Sequence, residues 1–198
     1  MSILKRLTTP RAIKDFKLLL FIIAVMWVLE VVNIIFERNL NHLALVPREP
    51  SKFFGILAMH FLHWNIPHLL SNTLPLAILG FLVCVKGKAL QVSISIMLLT
   101  GLSVWLFARD GVHAGASGLV LGYWGYLLSS AFFERSVRNI LIAFITFVVY
   151  GGIIISLLDF RDSTSFEGHI FGFIAGVFSA WFWRNDIRVS KSKNLRSG

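Results

Sequence analysis

Along this chain, long apolar runs alternate with short polar joints. Leu18 to Leu29, Ala89 to Ala108, Gly111 to Phe133 and Asn139 to Leu158 contain no Lys, Arg, Asp or Glu. A helix needs roughly 20 apolar residues to cross the hydrocarbon of a bilayer. The pattern predicts six such helices: Leu18–Phe36, Ile66–Val85, Ala89–Ala108, Gly115–Phe133, Asn139–Leu158 and Gly168–Trp183. Pro67 suits the first turn of the second helix, where a missing N–H costs nothing, and Pro75 should kink that helix. The joints are short except the first, Glu37 to Asn65. Its mixture of Trp64, several Phe, Pro47 and Pro50 fits a segment lying in the membrane interface.

Composition agrees. Of 198 residues, 56% are hydrophobic and 15% charged, more apolar surface than one soluble core of this size can hide. The expected fold class is all-α, a polytopic six-helix membrane bundle. A basic N-terminus (1–17) and a basic tail (184–198) flank the membrane domain (18–183). The net charge of +9 does not point to nucleic acid, because the cations cluster at the flanks. With the N-terminus inside, 14 of the 19 Lys and Arg fall on the cytoplasmic side and five outside, so both termini are expected in the cytoplasm. The first apolar stretch is too long for a cleaved signal peptide. Cys84 is the single cysteine, so no internal disulfide forms. No internal repeat supports a transporter.

In this topology the second, fourth and sixth spans run in one direction, and each opens with polar residues. These are His68 with Ser71 and Asn72, then Gly115, Ser117 and Gly118, then Glu167, Gly168 and His169. Three polar clusters at one depth imply a shared, wet site, since polar groups in a bilayer face the protein interior or a water-filled cavity. Ser117 between small residues at a helix start can be approached closely and lies near free N–H groups. Gly118 and Gly122 on the fourth span face a stripe of Gly168, Gly172 and Gly176 on the sixth, which allows close helix packing. That packing would bring His169 to Ser117 as its base. His68 and Asn72, four apart, share a helix face and offer two donors for an oxyanion.

Together these HxxxN, GxSG and HxxGxxxG elements, in that order on alternate helices, resemble the rhomboid family of intramembrane serine proteases. The resemblance covers about Trp27 to Trp183. It implies a Ser117–His169 dyad, with the oxyanion held by His68, Asn72 and the backbone N–H of Ser117. It also implies a partly inserted first loop and a mobile fifth span. Substrates would be membrane-anchored proteins cut in or near their transmembrane segments, in a bacterial plasma membrane, with the site open to the outer face. No cofactor or metal is implied, and the histidines form no HExxH. Two positions depart from the family's pattern: Leu121 stands where many members carry Tyr, and Phe53 and Phe54 stand near the usual Trp-Arg pair. A non-catalytic relative that binds or retains membrane proteins is the alternative, although such a protein is expected to have lost Ser or His.

The remaining polar residues have structural expectations. Glu30 either snorkels or bonds a neighbour, His60 and His63 bond the backbone of the first loop, and His113 lines the site at most. Glu167 and Asp162 lie near His169 in sequence. Trp181 and Trp183 suggest an inner aromatic belt.

Overall fold

The computed structural model describes residues 9–153 and 165–184. Among them six long helices carry the fold: α1 (Pro10–Ile35), α2 (Ile66–Lys86), α3 (Ala89–Phe107), α4 (Ser117–Glu134), α5 (Val137–Tyr150) and α6 (Phe166–Phe182). Local signals set their ends. The Thr9 hydroxyl accepts the Ala12 N–H at 3.2 Å ahead of Pro10. The Asn65 side chain accepts the His68 N–H at 2.8 Å, and Pro67 lies in the first turn of α2. Gly87, at φ +75°, ends α2 in the left-handed conformation that favours glycine.

The spans differ from the sequence expectation in instructive ways. The first helix starts at Pro10, not Leu18, because the Thr9 cap and Pro10 nucleate it ahead of the apolar run. It thus takes in Arg11, Lys14 and Lys17 from the basic segment. The α2 helix runs on through Pro75 to Lys86. The fourth starts at Ser117 itself, leaving Gly115 in the loop at φ +129°. The fifth is described as α-helix to Tyr150; Leu158, Arg161 and Asp162 lie outside the described residues. By length and apolar composition, α1, α2 and α3 are sufficient to cross a membrane; α5 and α6 are shorter apolar helices. Helix α4 needs little lipid compatibility because protein surrounds it, with Leu119, Leu121, Tyr123, Tyr126 and Leu127 all essentially inaccessible.

The α4–α6 pair is the most extensive contact in the bundle. It rests on the predicted glycines. A Cβ at Gly172 would lie 2.2 Å from the Gly118 carbonyl oxygen, and one at Gly176 would lie 2.0 Å from that of Gly122. Backbone therefore meets backbone along this seam, which only glycine permits. Elsewhere the bundle turns apolar groups outward. Phe21, Leu74, Phe107, Phe144 and Ile174 are all more than half exposed. Helix α5 packs mainly on α4. At its start Asn139 joins a buried cluster in which the Lys86 ammonium donates to Glu134 (2.9 Å) and to the Asn139 side-chain oxygen (2.8 Å).

The first loop is structured. Two 3-10 turns (Asn39–Leu43 and Pro50–Lys52) and a single helical turn (Gly55–Ala58) fold it against α3. The Ile56 carbonyl lies against Gly101, and Gly55 packs on the Leu45 backbone. Phe53 meets Trp105 edge-on at 5.4 Å, Arg48 donates to the Ala108 carbonyl at 2.6 Å, and Arg48 also pairs with Asp110. These contacts anchor the loop. Its outer edge, with Phe53, Phe54, Leu57 and Trp64, stays exposed.

Candidate active site

The three predicted polar clusters lie at, just before or within two turns of the starts of their helices, all at one end of the bundle. Between them opens a cavity of about 660 Å³, lined by His68, Asn72, Ser117 and His169 together with Arg109 and His113. Ser117 is the first residue of α4 and is half-buried; His169, on α6, is buried. The α4–α6 glycine seam explains why they share one cavity. Gly118 follows Ser117 directly, and its Cβ position is 3.1 Å from the Gly168 carbonyl, next to His169. The Ser117 hydroxyl makes no hydrogen bond among the described residues; in a substrate-free site such contacts are often long and tighten on binding.

Around the serine the backbone is held open for donors. No side chain caps α4, so its first N–H groups lack intrahelical partners and point a positive dipole end at the site. The His68 ring covers Gly115: a Cβ there would lie 2.9 Å from His68 Nε2 and 3.8 Å from Ser117 Oγ. With φ also positive, Gly115 is required twice, by conformation and by space. Asn72 lines the same cavity but also donates to its own helix, to the His68 carbonyl at 3.0 Å. An amide nitrogen carries two hydrogens, so one further N–H remains for a ligand. Ser71 bonds the same carbonyl at 2.8 Å.

Two histidines do more than the sequence reading assigned to them. His63 reaches beyond its own loop: its Nε2 accepts the N–H of Ala116, the residue before Ser117, at 3.2 Å. Its ring also meets that of His68 edge-on at 5.1 Å. Burial, with His68 nearby, pushes its pKa down to about 3, so it stays the neutral acceptor that this bond needs. His113 bonds Ser165 Oγ through Nδ1 (2.6 Å) and the Arg109 carbonyl through Nε2 (3.1 Å). Spacing along the chain signals neither contact, since the partners Ala116 and Ser165 lie 53 and 52 residues away.

Other expectations are corrected or refined. His60 bonds the Met97 carbonyl of α3 at 3.1 Å, not its own loop, because its ring is driven into the loop–α3 contact; burial lowers its pKa to about 4. Glu30 pairs with Arg38 at 2.7 Å. Glu167 turns to Arg109 at 3.2 Å. Leu121 is buried in the core, and Trp183 donates to Ser95 at 3.0 Å.

A Rhomboid domain matches residues 50–186, which include every residue named around the cavity. An uncharacterized protein of Mycobacterium bovis is 30% identical over 203 residues, spanning 96% of this chain and 85% of its own length. An uncharacterized protein of Mycobacterium tuberculosis matches to the same extent. A third, from Mycobacterium leprae, is 28% identical over 174 residues, spanning 82% of this chain and 69% of its own length. A family match of this extent, on an apolar helical bundle, makes the chain an integral membrane protein that belongs to the rhomboid family.

Proposed function

We propose that the chain is an intramembrane serine endopeptidase acting through Ser117 and His169. One observation carries the reading: a hydroxyl and an imidazole on separate helices, both at the same end of a glycine-packed seam, line one cavity with two further polar donors. His169 takes the Ser117 proton as Oγ attacks a substrate carbonyl carbon. Negative charge then develops on the carbonyl oxygen, and His68, the second N–H of Asn72 and the free N–H of Ser117 stabilise it. His169 returns the proton to the departing amine, leaving an ester on Ser117. Water enters and gives a proton to His169 as its oxygen attacks the ester carbon, and His169 passes that proton to the departing Ser117 Oγ. The cavity is open enough to admit that water. Substrates are membrane-anchored proteins whose helices unwind locally, since a helix hides its carbonyls from attack. The distribution of basic residues favours both termini in the cytoplasm and a site facing the outer leaflet.

The test uses the purified protein in detergent with a fluorophosphonate probe and a transmembrane reporter peptide. Wild type is expected to label and cleave, while Ser117→Ala and His169→Ala do neither. Equal labelling of all three would remove the hydrolase reading and favour a non-catalytic, helix-gripping role.

A further inference from the structure

We propose that His113 and Ser165 form a clamp that sets the distance between Ser117 and His169, and that both are positioning residues for the dyad. The proposal rests on the hydrolase reading given above. Ser117 and His169 sit on different helices, so something must fix the start of α4 relative to the start of α6. The glycine seam fixes how closely the helices approach, but not how their ends are registered. Each reactive residue has an anchor four positions ahead of it: His113 for Ser117, and Ser165 for His169. These two anchors are bonded to each other at 2.6 Å.

Chemistry assigns the proton. A carbonyl can only accept, so Nε2–H of His113 donates to the Arg109 oxygen at 3.1 Å; Nδ1 is then the bare acceptor for the Ser165 hydroxyl. His113 is buried, and burial holds its pKa below the ordinary value, assisted by Arg109 and Arg48 and opposed by the Arg109 carbonyl bond and Glu167. Its backbone is fastened as well, exchanging both hydrogen bonds with Leu45 of the first loop at 2.8 and 3.2 Å. One residue thereby ties the first loop, the serine loop and α6.

A second strut runs beside the first. The Glu167 carboxylate accepts from the Arg109 backbone N–H at 3.3 Å and pairs with its guanidinium at 3.2 Å. That guanidinium also lies over the Phe166 ring at 4.9 Å. A carboxylate in the first turn of α6 is favoured by the helix dipole, which stabilises the strut where it stands. Arg109 and His113, four apart in one loop, thus grip Ser165, Phe166 and Glu167 at the opening of α6.

Three substitutions test the clamp in the full-length protein, read as kinact and KI for a fluorophosphonate and as melting temperature. Ser165→Ala removes the bond. His113→Gln keeps a donor for the Arg109 carbonyl but loses the bridge to α6. His113→Asn places an amide oxygen where Nδ1 stands and keeps the bridge. The expected result is a fall of at least about tenfold in kinact, with KI nearly unchanged, for Ser165→Ala and His113→Gln, because displacements near 1 Å can cost about a hundredfold. His113→Asn is expected to recover to within about threefold of wild type. The Ser165→Ala/His113→Gln double variant should be no slower than the worse single, since both remove one interaction. Wild-type labelling with multiplying losses, or with His113→Asn as poor as His113→Gln, overturns the clamp alone. Absence of wild-type labelling overturns the hydrolase reading and the clamp with it.

Discussion

Replacing Gly172 by Ala tests the geometry on which the site depends. The added methyl would stand 2.2 Å from the Gly118 carbonyl oxygen and 2.9 Å from that residue's Cα. Both obstacles are backbone, so no side chain can rotate aside. Ordinary contact begins near 3.4 Å, which requires α4 and α6 to part by roughly 1.2 Å at this level. Overpacking of this kind typically costs about 1 to 3 kcal/mol. The chemical consequence is larger than the stability loss. Gly118 adjoins Ser117 and Gly172 lies one turn after His169, so the separation falls directly between the proposed nucleophile and base. A misplacement of about 1 Å corresponds to a rate loss on the order of a hundredfold. Thermal melting in detergent measures the first effect and fluorophosphonate labelling the second. Gly152→Ala is the control, since a Cβ there meets nothing within 4 Å; it should stay within about 1 kcal/mol of wild type and label normally. A Gly172→Ala protein that melts and labels like wild type would refute the backbone-to-backbone seam.

Three further outcomes follow from the polar groups. His63→Ala leaves the Ala116 N–H without its acceptor, which should cost about 1 to 3 kcal/mol in melting experiments and slow labelling markedly; His63→Gln, which keeps an acceptor, should restore most of the rate. Below pH 6.5 the unfolded chain protonates His60 and His63, whereas the folded loop resists until about pH 4 and 3 respectively. Their contribution to stability is therefore intact above pH 6.5 and lost as pH falls toward those values, and His63→Gln should flatten the acid side of a melting-temperature profile. Lys86→Met removes the ammonium from the Glu134 carboxylate in a nearly inaccessible pair and is expected to cost about 3 to 5 kcal/mol in reversible unfolding, with part of the loss recovered in the Lys86→Met/Glu134→Gln double variant.

The parts of this protein that were legible in its sequence are those where one residue type answers one physical demand. Apolar runs bounded by charge marked the bundle, because lipid tolerates little else. The glycine stripe marked the α4–α6 contact, because only glycine lets carbonyl oxygens approach as Gly118 and Gly122 do. Helix starts were less legible. The apolar pattern placed the first helix at Leu18, but a capping Thr9 and Pro10 begin it earlier, in a stretch whose basic residues look like tail. The fourth was placed at Gly115, but its positive φ excludes that residue from the helix and leaves Ser117 first.

Least legible were the residues that hold the loops. A histidine's spacing along the chain gives no hint of a partner far away in sequence, and His63 finds Ala116, His60 finds Met97 and His113 finds Ser165 only once the first loop has folded under the mouth of the bundle. These bonds share a logic that the helices alone do not supply. In a membrane site the polar backbone of a loop has no water to satisfy it in its buried part, so each such group needs an internal partner. A neutral imidazole can accept at one nitrogen while donating at the other, as His113 does between the Ser165 hydroxyl and the Arg109 carbonyl. The concentration of histidine around this cavity therefore has two origins. His169 and His68 are candidates for the chemistry, whereas His60, His63 and His113 tie the first loop and the serine loop to their neighbours. Substituting the second group should change how fast the site works and how acid-stable it is, without removing the nucleophile.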